Sequence, residues 1–504
     1  MCKTRWSLYL AVLLISGCTM APHYEQPAAP VAGEWPDKGS GGATVGPVKE
    51  DKTAAADIGW KDFFKDAKLQ HLIELSLKNN RNLRVASLNV QKARAQYRIQ
   101  RAELFPKLDM TADGSAKRIP KDLSGTGFTT TAHQYDVGLG FTSYELDLFG
   151  RIQSLKNQTL EQYLSLAETR ISTQITLVSE VANAYLTLLT DQGLLKITQD
   201  TLRSQQESYD IEKQRAAQGI GTDLDVRQAE TSVREAESNM ARYTRQVAQD
   251  LNALTLLVGE PLSNELISEI SKMSDGPDDR GVLTELAPGL PSDLLVRRPD
   301  IRAAEHDLKA ANANIGAARA AFFPSIILTG GIGTSSQSLS GLFAGGQNVW
   351  NFAPVIRLPI FDGGVNAGSL DAAKISKNIE IARYEFSIQT AFREVSDALV
   401  ARSTLNDQLK ADQLLVAAAA ESYRLYEMRY NAGVDTYINV LIWHRQLYSA
   451  QQALLNTRLS RLSNLVTLYK ALGGGWTDQT PPVSLKTGAR LRQPEENQTK
   501  LTAN

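Results

Sequence analysis

Few side chains in this 504-residue chain are placed to do covalent chemistry, and the exception is a cysteine near the N-terminus. Residues 1–18 carry a short basic start at Lys3 and Arg5, an apolar run from Trp6 to Ile15, and then Ser16-Gly17-Cys18. That order is the pattern of a secretory signal. Small residues directly before a cysteine are the pattern for cleavage there and acylation of the exposed cysteine, here Cys18. The apolar run falls well short of the ~20 residues that a membrane-spanning helix needs. The competing reading is an ordinary signal peptide with an accidental cysteine, which leaves Cys18 without lipid. The remaining cysteine, Cys2, departs with the signal, so the mature chain has no thiol for a disulfide or a metal. Thr19 stands where an Asp commonly retains lipoproteins at the inner membrane, which directs this chain to the outer one.

Other chemistry finds little support. His23, His71, His133, His306 and His444 are scattered, with no pair at metal-ligand spacing. There is no P-loop and no Gly-x-Ser-x-Gly elbow. Gly330-Gly331-Ile332-Gly333 falls in an extended segment, where strand packing explains it better than phosphate binding. The 54 basic and 55 acidic residues nearly cancel, which gives no basic excess for nucleic acid. We therefore expect no catalytic residue, no metal site and no cofactor beyond the covalent lipid.

The elements that carry the chain come in two copies. Residues 82–106 (NLRVASLNVQKARAQYRIQRAELFP) align without a gap to 300–324 (DIRAAEHDLKAANANIGAARAAFFP), with eight of 25 positions identical. The segment starting at Leu146 echoes that starting at Leu358, and Gly219–Val226 echoes Gly433–Val440, at offsets of 212 and 214 against 218 for the first pair. Register held over so long a stretch means one unit used twice, and excludes a solenoid of many short repeats. No proline occurs between Pro120 and Pro261 or between Pro359 and Pro481. Residues 151–218 and 364–432 can thus each be one helix, roughly 100 Å long at 1.5 Å per residue, with return helices at 222–258 and 435–472. Apolar residues spaced by three and four mark the faces that pack as coiled coils: Val226, Ala229, Val233, Ala236, Met240, Tyr243, Val247, Leu251 and Leu254 in one case, Ile171, Ile175, Val178, Ala182, Tyr185 and Leu189 in another.

Between the helices lie extended segments. Tyr135, Val137, Leu139 and Phe141 alternate with Asp136, Gly138, Gly140 and Thr142, and the parity flips after Ser143 to Tyr144, Leu146 and Leu148, as at a bulge. Trp350, Phe352, Ile356, Leu358 and Ile360 share one parity in the second unit. Partner strands begin at Pro106 and Pro324, and Gly/Ser/Thr-rich loops fall near 119–133 and 338–348. After the signal no apolar run is long enough for a membrane helix, so a membrane crossing requires a closed β-barrel. Four strands cannot close, since such barrels start at about eight. Assembly is therefore required if the strands span, and strand arithmetic alone allows two chains or three.

In its motifs the chain resembles the outer-membrane factors of tripartite efflux pumps and type I secretion systems, the TolC/OprM type. The carrying motifs are Leu146–Arg151 (LDLFGR), Arg297–Asp300 (RRPD), Ala313–Pro324 (ANIGAARAAFFP), Gly433–Asp435 and Tyr469–Trp476 (YKALGGGW). They are closest to the lipoprotein branch serving RND multidrug pumps. The resemblance implies a mostly α fold with β: a homotrimer forming a twelve-stranded outer-membrane barrel, four strands per chain, continuous with a long periplasmic helical coiled-coil barrel. A mixed belt near its waist would draw on residues near 50–80, 190–205 and 260–298 and on the C-terminus. Implied partners are outer-membrane lipid, a periplasmic adaptor and an inner-membrane RND transporter.

It also implies a gate at the hairpin turns Gly219, Gly221 and Gly433, where an Asp after the first turn bonds to a Tyr before the second. Asp225 and Tyr430 match those positions. The chain departs from the family in having Asn439 and Ile442 where carboxylates are frequent, and Asp435 where some members are basic. An acidic ring would rest on Asp435 and Asp225, with Ile438 as an apolar constriction. Thr222, Asp223 and Thr436 read equally well as helix caps.

The expected organisation is a signal at 1–17, a lipidated irregular segment at 18–66, the first unit at 67–260, a connection at 261–298, the second unit at 299–475 and a polar tail at 476–504. The function implied is a passive exit duct for drugs or other small toxic solutes. Metal-ion efflux and type I protein secretion are the alternatives within the family, and a periplasmic helical scaffold or adhesin is the alternative outside it.

Overall fold

The computed structural model describes residues 19–33, 35, 55–125, 127–273, 276–277, 286 and 293–474. The signal 1–17, Cys18, parts of the 18–66 segment and of the 261–298 connection, and the tail 476–504 lie outside the described residues. Within them, a helical turn at Trp60–Phe63 precedes α1 (Ala67–Asn79) and α2 (Arg81–Ala102). Next come strands β1 (Asp109–Ile119) and β2 (Thr130–Leu146), the long helix α3 (Arg151–Ala217) and its return α4 (Asp223–Val258). Short helices α5 (Asn264–Ser271) and α6 (Asp293–Arg297) lead to α7 (Pro299–Ala320), β3 (Ser325–Ser336), β4 (Asn348–Arg357), the second long helix α8 (Val365–Asn431) and its return α9 (Tyr437–Ala471). Helix, two strands, a helix of 67 residues and a return helix thus occur twice in the same order.

The long helices start where the sequence supplies a left-handed glycine and an acidic side chain. Gly150 (φ 70°) precedes α3, and Asp147 accepts from the free Gln153 backbone N–H at 2.7 Å. Gly364 (φ 90°) precedes α8, and Asp362 accepts from Gly364 and Asn366 N–H at 2.9 Å each. An anion over exposed N–H groups also complements the positive end of the helix dipole. Arg151 closes the LDLFGR motif by pairing back to Glu145 at 2.8 Å.

The strands form one antiparallel sheet in the order β1-β2-β3-β4. Asp109 opposes Gly140, Tyr135 opposes Ser336 and Ser325 opposes Arg357. The bulge lies between Phe141 and Tyr144, and Ser143 (φ 57°) is the one non-glycine with positive φ among the described residues. Two sequence expectations ran long. Leu148 lies outside β2, in a turn closed by its N–H to the Leu146 carbonyl. Leu358 and Ile360 lie outside β4, whose partner ends at Ser325, after Pro324, a residue with no N–H for a further ladder bond. Beyond β1 and β4 no further strand pairs among the described residues, so both edges of the sheet are open.

The core sits at mid-height of the helices. Leu177 to Leu189 of α3 and Tyr384 to Ala398 of α8 meet α1, the start of α7 and the ends of α4 and α9 there. The apolar stripes account for it: Ile171, Ile175, Val178, Ala182, Tyr185 and Leu189 are all buried. Phe63 stacks on Tyr469 at 3.9 Å between ring centres, and Phe64 meets Phe63 edge-on at 4.8 Å. Two tyrosine hydroxyls entering this core are satisfied: Tyr469 Oη donates to Ile58 O (2.7 Å), and Tyr185 Oη to Asp66 (2.7 Å), whose other oxygen caps α1. Arg298, 7% exposed, binds Asp300 (3.0 Å), Glu394 of α8 (2.8 Å) and the Ala471 carbonyl ending α9 (3.0 Å).

The start of the described chain lies against the strand end of the helices. Thr19 Oγ1 meets Ser154 Oγ at 3.0 Å, the Asn312 amide donates to Pro22 O and Arg319 to Met20 O. A side chain at Gly316 would strike Ala21 N and Ser154 Oγ, so this glycine lets the segment lie flush on α7.

Candidate functional site

The residues expected at a gate all gather at the far tips of the two helical hairpins. Each tip turns on a left-handed glycine, Gly219 (φ 74°) and Gly433 (φ 75°). Backbone N–H groups beyond it bond back to the Arg215 and Arg429 carbonyls at 2.9–3.1 Å, closing the helix ends. Gly221 serves by its size, since a Cβ there would press on Ala216 N and Arg215.

Asp225 and Tyr430 do not bond to each other in the single chain. Thr222 is the N-cap of α4: its Oγ1 accepts from Asp225 N–H (3.2 Å), and the Asp225 carboxylate accepts from Thr222 N–H (3.3 Å) and hydroxyl (2.6 Å). This reciprocal capping box occupies Asp225, while Asp223 is the first helical residue. Tyr430 Oη instead donates to Glu212 of α3, and the Arg215 guanidinium lies over its ring at 4.8 Å. Burial, then the Glu212 carboxylate, push the Tyr430 hydroxyl far up, so it stays a donor.

Asp435 is held within its own hairpin by Asn439 (2.7 Å), the Thr436 N–H (2.8 Å) and Arg429 (3.0 Å), which together keep its carboxyl below the usual range. Thr436 occupies the cap position of α9 but makes no side-chain cap bond; its own N–H donates to Asp435. On the first turns of α9, Tyr437, Val440 and Leu441 are buried, while Ile438 and Ile442 are exposed on the other face.

Sequence reasoning missed Glu212, Arg215 and Arg429. Glu212 had a signal: it ends a seven-residue series of buried polar residues on α3, Asp191, Thr198, Gln205 and Glu212. Seven residues is two turns of a supercoiled helix, so these side chains share one seam. Each has a partner. Thr198 bonds Tyr448 Oη (2.8 Å), Gln205 donates to His444 Nδ1 (2.7 Å), and the Asp191 carboxyl neighbours that of Asp250 on α4. Burial pushes His444 down, which keeps its ring neutral and its nitrogen free to accept.

Burial, then the Asp250 carboxyl, push Asp191 up to about 7. A carboxyl raised in the folded state favours the folded protein when protonated, so its contribution is full below the ordinary carboxylate range and fades as pH rises towards 7. We expect melting in detergent to show on the order of 1–2 kcal/mol more stability at pH 5 than at pH 8 from this pair. Asp191→Asn should remove that increment, and an unchanged pH slope in the variant would show that no proton is shared.

The sequence profile of the outer membrane efflux protein family matches residues 72–260 and 290–474. The chain is 50% identical over 480 residues to the toluene efflux pump outer membrane protein TtgC of Pseudomonas putida, covering 95% of this chain and 97% of that one. The antibiotic efflux pump outer membrane protein ArpC of the same species matches to the same degree. Among solved structures, the open state of the Neisseria gonorrhoeae MtrE outer membrane channel superposes with a TM-score of 0.79 at 40% identity, over 91% of this chain and 98% of that one. The family is one of transport channels, not of enzymes. The chain belongs to the outer membrane efflux protein family and is an efflux channel subunit of the outer membrane.

Proposed function

We propose that three copies of this chain form a passive duct from the periplasm to the cell exterior. One observation carries the proposal: a four-stranded sheet with two open edges stands on two hairpins of 67-residue helices. Open edges cannot face lipid, because each unpaired N–H and C=O there costs several kcal/mol. Strands of 10–17 residues are long enough to cross, and three sheets give a twelve-stranded barrel. The helices then extend roughly 100 Å into the periplasm, where a periplasmic adaptor and an RND transporter hand over the cargo. Small organic toxicants, solvents and antibiotics of the kind named for the relatives, are the proposed cargo. The duct consumes no fuel; the transporter selects.

The lipid on Cys18 is a second anchor in this reading. Thr19 is pinned to Ser154, one turn into α3 and just below the sheet, which is where an acyl chain on the neighbouring residue reaches the membrane. Native mass measurement of the detergent-extracted protein should give a trimer, and a monomer or dimer would overturn the duct. Cys18→Ser should abolish palmitate labelling yet leave the protein in the outer membrane with most of its solvent-tolerance phenotype, because the barrel holds it there. Release of the variant as a soluble protein would contradict a membrane-spanning sheet.

A further inference from the structure

The latch holding the second hairpin tip against the first is, we propose, the hydrogen bond from Tyr430 to Glu212 on α3, and not a bond to Asp225 on α4. This rests on reading the hairpin tips as the closed end of the duct. Glu212 is 2% exposed, although it lies within two turns of the helix end, where most neighbours face water. A carboxylate so placed needs a strong partner, and Tyr430 Oη supplies it.

The surroundings fit the pair. Arg215 covers the outer face of the Tyr430 ring, and the Tyr437 ring lies 5.5 Å away. Tyr209 and Tyr423 complete an apolar collar with Ala229, Val440 and Leu441. Asp225 is near enough to act on Tyr430 through its charge, but its carboxylate is turned to the cap of its own helix, where Oδ2 accepts from the Thr222 N–H and hydroxyl.

The mechanical consequence differs between the two latches. A bond to Asp225 would tie the end of α8 to the start of a return helix. A bond to Glu212 ties it to the continuous helix α3, which runs from the tip to the sheet. Moving the α8–α9 hairpin away from α3 therefore exposes a buried carboxylate and strips a tyrosine of its partner in one step. Opening is all-or-none at this contact.

Single-channel conductance of the full-length protein in planar bilayers tests this, with Tyr430→Phe, Glu212→Ala, Glu212→Gln and Asp225→Ala side by side. Loss of a hydrogen bond to a charged acceptor should shift the open fraction by roughly tenfold to a hundredfold. Tyr430→Phe and Glu212→Ala should both open the channel, and the double variant should open it no further than either alone. Glu212→Gln should stay near wild type, since its amide oxygen still accepts; this separates the latch from simple loss of folding. Asp225→Ala, which removes the acceptor, should conduct like wild type and melt slightly lower through loss of the capping box. If Asp225→Ala opens the channel while Glu212→Ala does not, the acceptor is Asp225 and the inference fails, with the gate intact. If Tyr430→Phe conducts like wild type, the tips are not the gate and both readings fail.

Discussion

Replacing Arg298 with alanine is expected to destabilise the protein by about 2–4 kcal/mol, a large fraction of a typical domain's margin. The guanidinium is where the second unit is tied to its own end: it starts α7, grips Glu394 in the middle of α8 and caps the last carbonyls of α9 at Ala471. Burial alone would disfavour its charge, but Asp300 and Glu394 more than compensate and raise its pKa. Both carboxylates are more than a third exposed and regain water when the arginine is lost. What cannot recover is the Ala471 carbonyl and the packing of the side chain at the junction of three helices. Arg298→Lys should recover part of the loss, because an ammonium cannot reach Asp300, Glu394 and the carbonyl in one fork-like geometry. Denaturant melts followed by tryptophan fluorescence in detergent give the answer, and a change under about 0.5 kcal/mol would mean that the junction is held by its apolar contacts alone.

The second large effect is expected in the sheet. Gly138 faces Gly333 and Gly140 faces Gly331 across β2 and β3. A Cβ at Gly333 would fall on the Val137 carbonyl oxygen and the Gly138 Cα, both backbone atoms in the middle of a ladder. Neither can move without breaking register, so Gly333→Ala should cost at least the ~1–3 kcal/mol of overpacking and sharply reduce the amount of folded protein in the outer membrane. Gly331→Ala is the control. Its Cβ would touch the Asn351 side-chain oxygen at 3.0 Å, which can swing aside, and the Leu139 carbonyl only at 3.4 Å. Equal yields for the two variants, measured as heat-modifiable protein in outer-membrane fractions, would show that the strands can separate locally.

Much of this fold was legible because helix and strand have different periods. The 3–4 stripe ending at Leu189 placed the core face of α3, and alternation from Tyr135 placed β2 together with its bulge at Ser143. The ends were harder. Leu358 and Ile360 keep strand parity, yet the strand stops when its partner does, and parity carries no information about a partner's length. At the tips, the turn glycines and the Thr222 cap could be read from local rules, whereas the partner of Tyr430 could not. The family pattern pairs it with Asp225 on the other hairpin, but the packing of α3 against α9 puts the Glu212 side chain at its hydroxyl. The seam from Asp191 to Glu212 escaped for a related reason: polar residues at heptad spacing look like a solvated face until the neighbouring helix is in place.

That seam also limits how the tube can deform. A purely apolar helix interface is nearly as comfortable after sliding by one turn, since one methyl group packs much like the next. Here four polar rungs spaced seven residues apart each have a specific counterpart, on α4 for Asp191, on α9 for Thr198 and Gln205 and on α8 for Glu212. A slip of three or four residues would take every rung off its own counterpart, at a cost of ~1–3 kcal/mol for each hydrogen bond left unmade. The hairpins are thereby geared like a rack against lengthwise travel. Pull or push along the axis is transmitted over the lower half of α3 rather than absorbed as creep, and the motion left to the tips is to pivot sideways, unzipping from Glu212 upward.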